Sequence, residues 1–477
     1  MSEVKKVVKS TTIYFIGSIS SKLVAFFMLK VYTTYISPED FGTYDVAVSY
    51  VTLITSILFL DIWSGIMRFT FDYEGKKDKF VAVYSGGIIY AGSTLLFTIV
   101  FFPLANYLKL VYPMLIYLYG LALCFQNLYG YIARSFGQNI VFMTSGILNT
   151  FINACMNVIL IIIVGMNYKA LYISYILGVF TQCYVIERKI HLLSNFKTSY
   201  INLNMLKSIF KFSLPLCTNS LFYWILTYYN KIIILKRLGS EYNGNYAIAS
   251  KFTLALTLVS SAFLMAWQEL AYGKSSVDKY TGEFYSKATN DYYKMLFCGS
   301  IMLIPIINII FPFLIDKSYY TAKEITPIYI IATVFVIFSS FLGSILTTYK
   351  KTNIIFISTM SASITNITLL HLSIDKLGLI SAPLSLLIGY LVNCLIRILI
   401  IKRTIDYSFD FKSNIYIIPL YILFILIYIT NNIYFNIIAF LLASIITMYL
   451  FRTYILKVFK TSSIFRNKCG EKNYYAK

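Results

Sequence analysis

From Phe80 to Leu108 the chain runs without one charged side chain, and comparable runs recur along its length. Each is long enough to cross a bilayer core, which takes about 20 mostly apolar residues in a helix. Only 13% of the 477 residues are charged and 58% are hydrophobic, whereas soluble domains carry roughly 25% charged residues. The pattern predicts an all-α polytopic membrane protein.

About fourteen spans fit this pattern, from Thr11–Ile36 to Tyr434–Leu456. The basic loop Glu187–Lys207 separates the sixth from the seventh, Ser208–Leu235. The net charge of +21 is dispersed between spans, with no arginine-rich or aromatic-interleaved tract. It reads as membrane-flanking charge and excludes a nucleic-acid partner. With the N-terminus in the cytoplasm, 30 of the 41 Lys and Arg fall in cytoplasmic tails, loops and adjoining helix ends. Eight fall outside, and three (Lys22, Lys231 and Lys251) lie inside spans. That asymmetry predicts cytoplasmic N- and C-termini. No cleavable signal peptide is expected, since the first apolar run is too long and leads into another span. The seven cysteines form no CxxC pair and the two histidines suggest no metal site. With no loop long enough for a soluble domain and no Walker A motif, an ATP-driven pump is not expected.

One local pattern occurs twice. "ISPEDFGTYDVA" (Ile36–Ala47) and "LGSEYNGNYAIA" (Leu238–Ala249) share E-x-x-G-x-Y-x-x-A at an offset of 202 residues. Glu39, Gly42, Tyr44 and Ala47 correspond to Glu241, Gly244, Tyr246 and Ala249. The copies follow the first and seventh spans, so an even number of spans separates them and both halves face the same way. This predicts two six-helix lobes in parallel pseudo-two-fold repeat, related by an axis along the membrane normal. The expected layout is an N-terminal lobe at 1–190, a linker at 191–207 and a C-terminal lobe at 208–403. The remainder, 404–477, holds two extra helices on one flank and a basic cytoplasmic tail. Ser37-Pro38 and Gly239-Ser240 should break the helices, and Pro215 and Pro383 should mark kinks.

The repeat, the span count, "FSLPL" (Phe212–Leu216) and "YYNKIIILKRLGSEYNGNYAIASKF" (Tyr228–Phe252) resemble the oligosaccharide-lipid flippases of bacterial polysaccharide synthesis. These belong to the multidrug/oligosaccharidyl-lipid/polysaccharide exporter superfamily. The resemblance implies a plasma-membrane transporter, not an enzyme. It implies that a monomer moves an undecaprenyl-pyrophosphate-linked oligosaccharide from the inner to the outer leaflet by alternating access. A polysaccharide polymerase and glycosyltransferases of the same pathway would be its partners, besides membrane lipids. No cofactor is implied beyond Na⁺ or H⁺ as a coupling ion. Many relatives carry an acid followed by Arg or Lys in the middle of span seven; here the pair is Asn230-Lys231. The cation is kept and the acid is absent, so no coupling role is carried over for it.

A charge at the bilayer centre costs about 2.5–3.5 kcal/mol on insertion scales, so an intramembrane ion is a functional candidate. Lys22, Lys231 and Lys251 are the candidate pyrophosphate ligands, because ammonium groups in a wet cleft can replace the hydration of a doubly charged anion. Asn219, Tyr223 and Asn230 share one face of span seven; with Gln268 of span eight they are candidates for lining a sugar cleft. Asp61 and Arg68, seven residues apart on span two, suggest a structural ion pair or gate brace. Glu269 joins them as a gate or coupling candidate. Asn149, Asn153 and Asn157 form a ladder on span five, read as hydrogen-bonding glue between helices along with Gln126, Asn127, Asn366 and Asn393.

Other functions fit less well. A cation-coupled multidrug antiporter wants carboxylates for cationic drugs. A lipid II flippase would need much the same features as the leading reading. A membrane polymerase, ligase or glycosyltransferase needs catalytic acids or bases on a sizeable outer loop. A purely structural protein leaves three intramembrane lysines unexplained. The topology has a direct test in a cysteine-free background. Cysteine at position 280 should be labelled only from the cytoplasm and cysteine at 318 only from outside. The reverse pattern overturns the orientation.

Overall fold

The computed structural model describes residues 22–73, 75–273, 282–349, 351–405, 407–410 and 417–452. The side chains of Lys76, Leu216, Asn219, Ala262, Met265, Ala266, Ile417 and residues 268–273 lie outside that description. The described residues form helices and no strand. The first half contains α1 (22–35), α2 (Pro38–Leu58), α3 (Ile62–Thr70), α4 (Lys76–Tyr107), α5 (Pro113–Ser135), α6 (Asn139–Val158) and α7 (Lys169–Ile190). A π-helical turn, Ile159–Ile163, extends α6. The second half contains α8 (Leu203–Arg237), α9 (Ser240–Lys251), α10 (Leu254–Gly273), α11 (Gly282–Leu314), α12 (Tyr320–Thr348), α13 (Thr352–Leu377) and α14 (Ser381–Thr404). Two more, α15 (Ile417–Ile429) and α16 (Ile433–Leu450), follow. With α13 and α14 taken as one run, nine stretches among the described residues are long and apolar enough to cross a membrane, and ten with the bent α8.

The helix breaks follow local chemistry. Ser37 caps α2 by accepting the Asp40 N–H at 3.2 Å, Pro38 occupies the first turn, and Glu39 and Asp40 put negative charge at the positive end. Gly239, at φ +103°, separates α8 from α9 as expected, a conformation that other residues rarely adopt. Span two, expected as one helix over Gly42–Phe69, is broken: Leu60 and Asp61 both sit at φ +52° between α2 and α3. Span eight, expected over Tyr242–Ala271, is likewise interrupted between Lys251 and Leu254. Pro215 coincides with a 45° bend in α8, the effect of a missing N–H inside a helix. Pro383 lies in the first turn of α14. Its nitrogen has no intrahelical acceptor to lose there, so the kink expected at that proline does not form.

In the first half α2, α3, α4, α6 and α7 pack around α5. In the second, α12 packs against α9, α10, α11 and α14, and α13 joins α14 to α8. Both α15 and α16 lie against α11. Between the halves, α2 runs along α8 and α9, and α8 also touches α3 and α4. The two copies of the repeated pattern meet where α2 crosses α9. A Cβ on Gly42 would collide with the Ser240 carbonyl oxygen, and a Cβ on Gly244 with that of Pro38. Position 42 pairs with 244 and 38 with 240 by the same 202-residue offset, so the contact is self-complementary, as across a local two-fold axis. Small residues let two helix backbones touch in a membrane.

Further bonds tie the halves at this crossing end. The Tyr319 hydroxyl donates to the Ile36 carbonyl at 2.9 Å, and the Asp316 N–H donates to Thr33 Oγ1 at 3.3 Å. Gly42→Ala and Gly244→Ala should each cost about 1–3 kcal/mol by overpacking and lower the unfolding midpoint in detergent. Gly92→Ala in α4, which meets nothing within 4 Å, should leave it unchanged. Equal midpoints for all three would refute the contact.

Candidate functional site

Of the three intramembrane lysines, one is paired. Lys231 Nζ on α8 lies 2.9 Å from both carboxylate oxygens of Asp45 on α2. Both side chains are mostly buried, at 12% and 13% exposure. The Tyr228 ring lies 5.2 Å from the same ammonium, and Asn243 on α9 donates to the Gly42 carbonyl at 3.0 Å and to Asp45 at 3.4 Å. The pair therefore joins the two halves beside the glycine crossing. Asp45 was not among the sequence candidates. A signal was available: it lies inside the first copy of the repeat, where the second copy has Ala247.

Lys251, the last residue of α9, faces a cavity of about 370 Å³. The wall comes from α1, α2, α5, α6, α7, α9 and α10, with Asn149, Asn153, Asn157, Gln126, Tyr32 and Tyr175 supplying most of its polar groups. Among the described residues no Asp or Glu lines it, and Lys251 makes no ion pair. Lys22, on α1, is half-buried and makes no ion pair either among the described residues. It lies on the helix face of Ala25 and Leu29, which line the cavity.

The 202-residue offset relates these lysines to a second pair. It maps Lys22 onto Trp224 and Lys251 onto Ser49. Trp224 Nε1 donates to the Ser49 carbonyl at 3.0 Å, joining α8 to α2. The equivalent approach of α1 to the end of α9 is also formed, where the Phe26 and Phe252 rings meet edge to face at 6.4 Å.

Other candidates are placed differently. Asn230 is not in a cleft: it is buried, donates to the Ala382 carbonyl at 2.8 Å and accepts from Asn366 at 2.8 Å. It binds α8 to α13 and α14, because an amide has both a donor and an acceptor to satisfy away from water. Tyr223 is 57% exposed. Arg68 pairs with Asp72 at 2.6 Å rather than with Asp61. The break in span two removes the helix periodicity on which an Asp61–Arg68 pair depended. The side chains of Asn219, Gln268 and Glu269 lie outside the described residues. The expected glue is present in part: Asn149 donates to Gln182 at 2.7 Å, and Ser339 donates to Asn393 at 2.9 Å. Arg397 is a further buried cation, held by neutral oxygens of Ser358, Thr359 and Ser339.

Solved structures share this fold. A lipid II flippase, MurJ, in an inward closed conformation superposes with a TM-score of 0.69 at 17% identity, over 94% of this chain and 100% of that one. An inward-facing multidrug resistance transporter of the MATE family gives 0.64 at 15% identity, over 82% and 98%. The Vibrio cholerae MATE transporter VcmN gives 0.54 at 13% identity, over 84% and 96%. None of the curated proteins matches in sequence. The sequence does match the family described as "Polysaccharide biosynthesis protein" over residues 7–267. With more than half of its length inside that match, this chain, a multi-pass membrane protein with the fold of those flippase and MATE structures, belongs to the polysaccharide biosynthesis protein family.

Proposed function

We propose that this chain flips an undecaprenyl-pyrophosphate-linked oligosaccharide from the cytoplasmic to the outer leaflet of the bacterial plasma membrane, for surface polysaccharide synthesis. The observation that carries this reading is Lys251, an intramembrane cation without an ion-pair partner among the described residues, at a cavity that no carboxylate lines. An unpaired ammonium is costly in a membrane, and an anionic cargo removes that cost. The offset argument adds Lys22: Trp224 and Ser49 are bonded, so their counterparts Lys22 and Lys251 face the same approach between helices. A pyrophosphate carries charge enough to engage more than one such cation. Lys231 is excluded as a free ligand, since Asp45 holds it.

In this reading the chain crosses the membrane fourteen times. The α2–α3 and α9–α10 pairs are one broken span each, and α13 and α14 count separately. The loop charges put the termini in the cytoplasm, which places the glycine crossing at the outer face. Alternating access then opens that crossing while the opposite end closes, driven by the membrane potential or an Na⁺ or H⁺ gradient. The cation-drug antiporter reading meets the opposite difficulty: the cavity offers a cationic drug one more cation and no acid.

Lys251→Ala and Lys22→Ala should each abolish surface polysaccharide at unchanged protein level. Normal polysaccharide from the double variant overturns the cationic cleft. The Asp45–Lys231 pair has its own test. Asp45→Asn alone should destabilise by about 3 kcal/mol by stranding a buried cation. The combination with Lys231→Met should recover most of that loss, and strictly additive losses would show that the two do not interact.

A further inference from the structure

Amide groups line the cavity beside Lys251, and one of them is left incomplete. Asn157 on α6 is 1% exposed. Its Nδ2 donates to Asn153 Oδ1 at 2.6 Å and to the Tyr32 hydroxyl at 3.1 Å, while its Oδ1 accepts no hydrogen bond. A buried acceptor without a donor is destabilising, and a ligand hydroxyl would satisfy it. Asn153 Nδ2 donates no hydrogen bond among the described residues. Other polar groups of the lining are already bonded: the Tyr175 hydroxyl donates to Gln126 Oε1 at 2.7 Å, Gln126 Nε2 donates to Gln182 Oε1 at 3.1 Å, and Asn149 Nδ2 donates to the same oxygen at 2.7 Å.

The site thus combines a waiting acceptor, a free amide donor, aromatic hydroxyls and one cation, with no acid in the lining. Vicinal hydroxyls of a sugar both donate and accept, which matches amides better than any single-sign group would. The volume, about 370 Å³, is near the lower end of small-ligand pockets, roughly 300–1,000 Å³. It suits a small piece of a glycan rather than a whole oligosaccharide. We propose that this cavity is a carbohydrate subsite. The amides of Asn157 and Asn153 take the hydroxyls of one sugar ring, and Lys251 takes the phosphate attached to it.

This rests on the flippase reading and adds to it that the protein reads sugar identity in its first half, on α6. The ladder that the sequence suggested as glue is then a recognition surface. The test is calorimetric titration of the full-length protein in nanodiscs with inorganic phosphate, glucose 1-phosphate, galactose 1-phosphate and N-acetylglucosamine 1-phosphate. At least one sugar phosphate should bind roughly tenfold more tightly than phosphate, the scale of one or two good hydrogen bonds. Asn157→Leu and, at a half-buried position that disturbs the packing less, Asn153→Leu should shrink that advantage to about twofold or less. Phosphate affinity should be unchanged in both, whereas Lys251→Met should weaken every ligand. Equal binding of phosphate and all sugar phosphates overturns the sugar subsite alone, as does an advantage that survives in both leucine variants. Failure of the wild-type protein to bind any of the four overturns the cationic site as well.

Discussion

Where α2 crosses α9, two helices touch backbone to backbone, and the rest of the arrangement depends on that distance. Gly42 and Gly244 have no side chains to hold the helices apart, so each Cα packs on a carbonyl of the other helix. The close approach brings Asp45 of α2 within 2.9 Å of Lys231 on α8. It also sets the end of α9 against α1, with Lys251 turned to the cavity. A methyl group at either glycine would widen the crossing, and the ion pair beside it would be the next contact to lengthen.

The lysines show how one chemical problem gets two solutions. A cation inside a bilayer needs a counter-charge, water or an oxygen cage. Lys231 takes a carboxylate, and Arg397 takes a cage of neutral oxygens. These groups are locked and serve the fold. Among the described residues Lys251 has no ion pair and no oxygen cage, and no acid lines the cavity it faces; the nearest influence of that sign is Asp45, which is bonded to Lys231. On the proposed reading, the contrast separates structural from functional charge more sharply than depth along a helix could.

Much of the fold was legible because its causes are local. Long uncharged runs give helices, Ser37-Pro38 and Gly239 give breaks, and a 202-residue offset marks the paired segments. The break at Leu60–Asp61 was not legible: Asp tolerates positive φ better than most residues, but Leu does not, and neither Gly nor Pro stands at the break. The site was legible only in part. The sequence singled out Lys22 and Lys251 because a charge in an apolar run stands out. Asp45 does not stand out, because it follows Glu39 and Asp40 closely and resembles one more helix-start acid. Asn230 and Asn157 look alike as intramembrane amides, yet one is saturated by Ala382 and Asn366 and the other keeps an open acceptor. Only three-dimensional neighbours distinguish them.

The glycine crossing has one more consequence. A seal made from main-chain atoms has no preference among solutes: it does not titrate, and it reads neither sugar nor charge. On the proposed reading, discrimination lies with side chains on α6 and at the end of α9, none of which belongs to the 38–42 and 240–244 contact. If the chain carries a glycan as proposed, substitutions that retarget it can accumulate in the cavity while the seal keeps its geometry. A lineage built this way can diversify its cargo without re-evolving its gate.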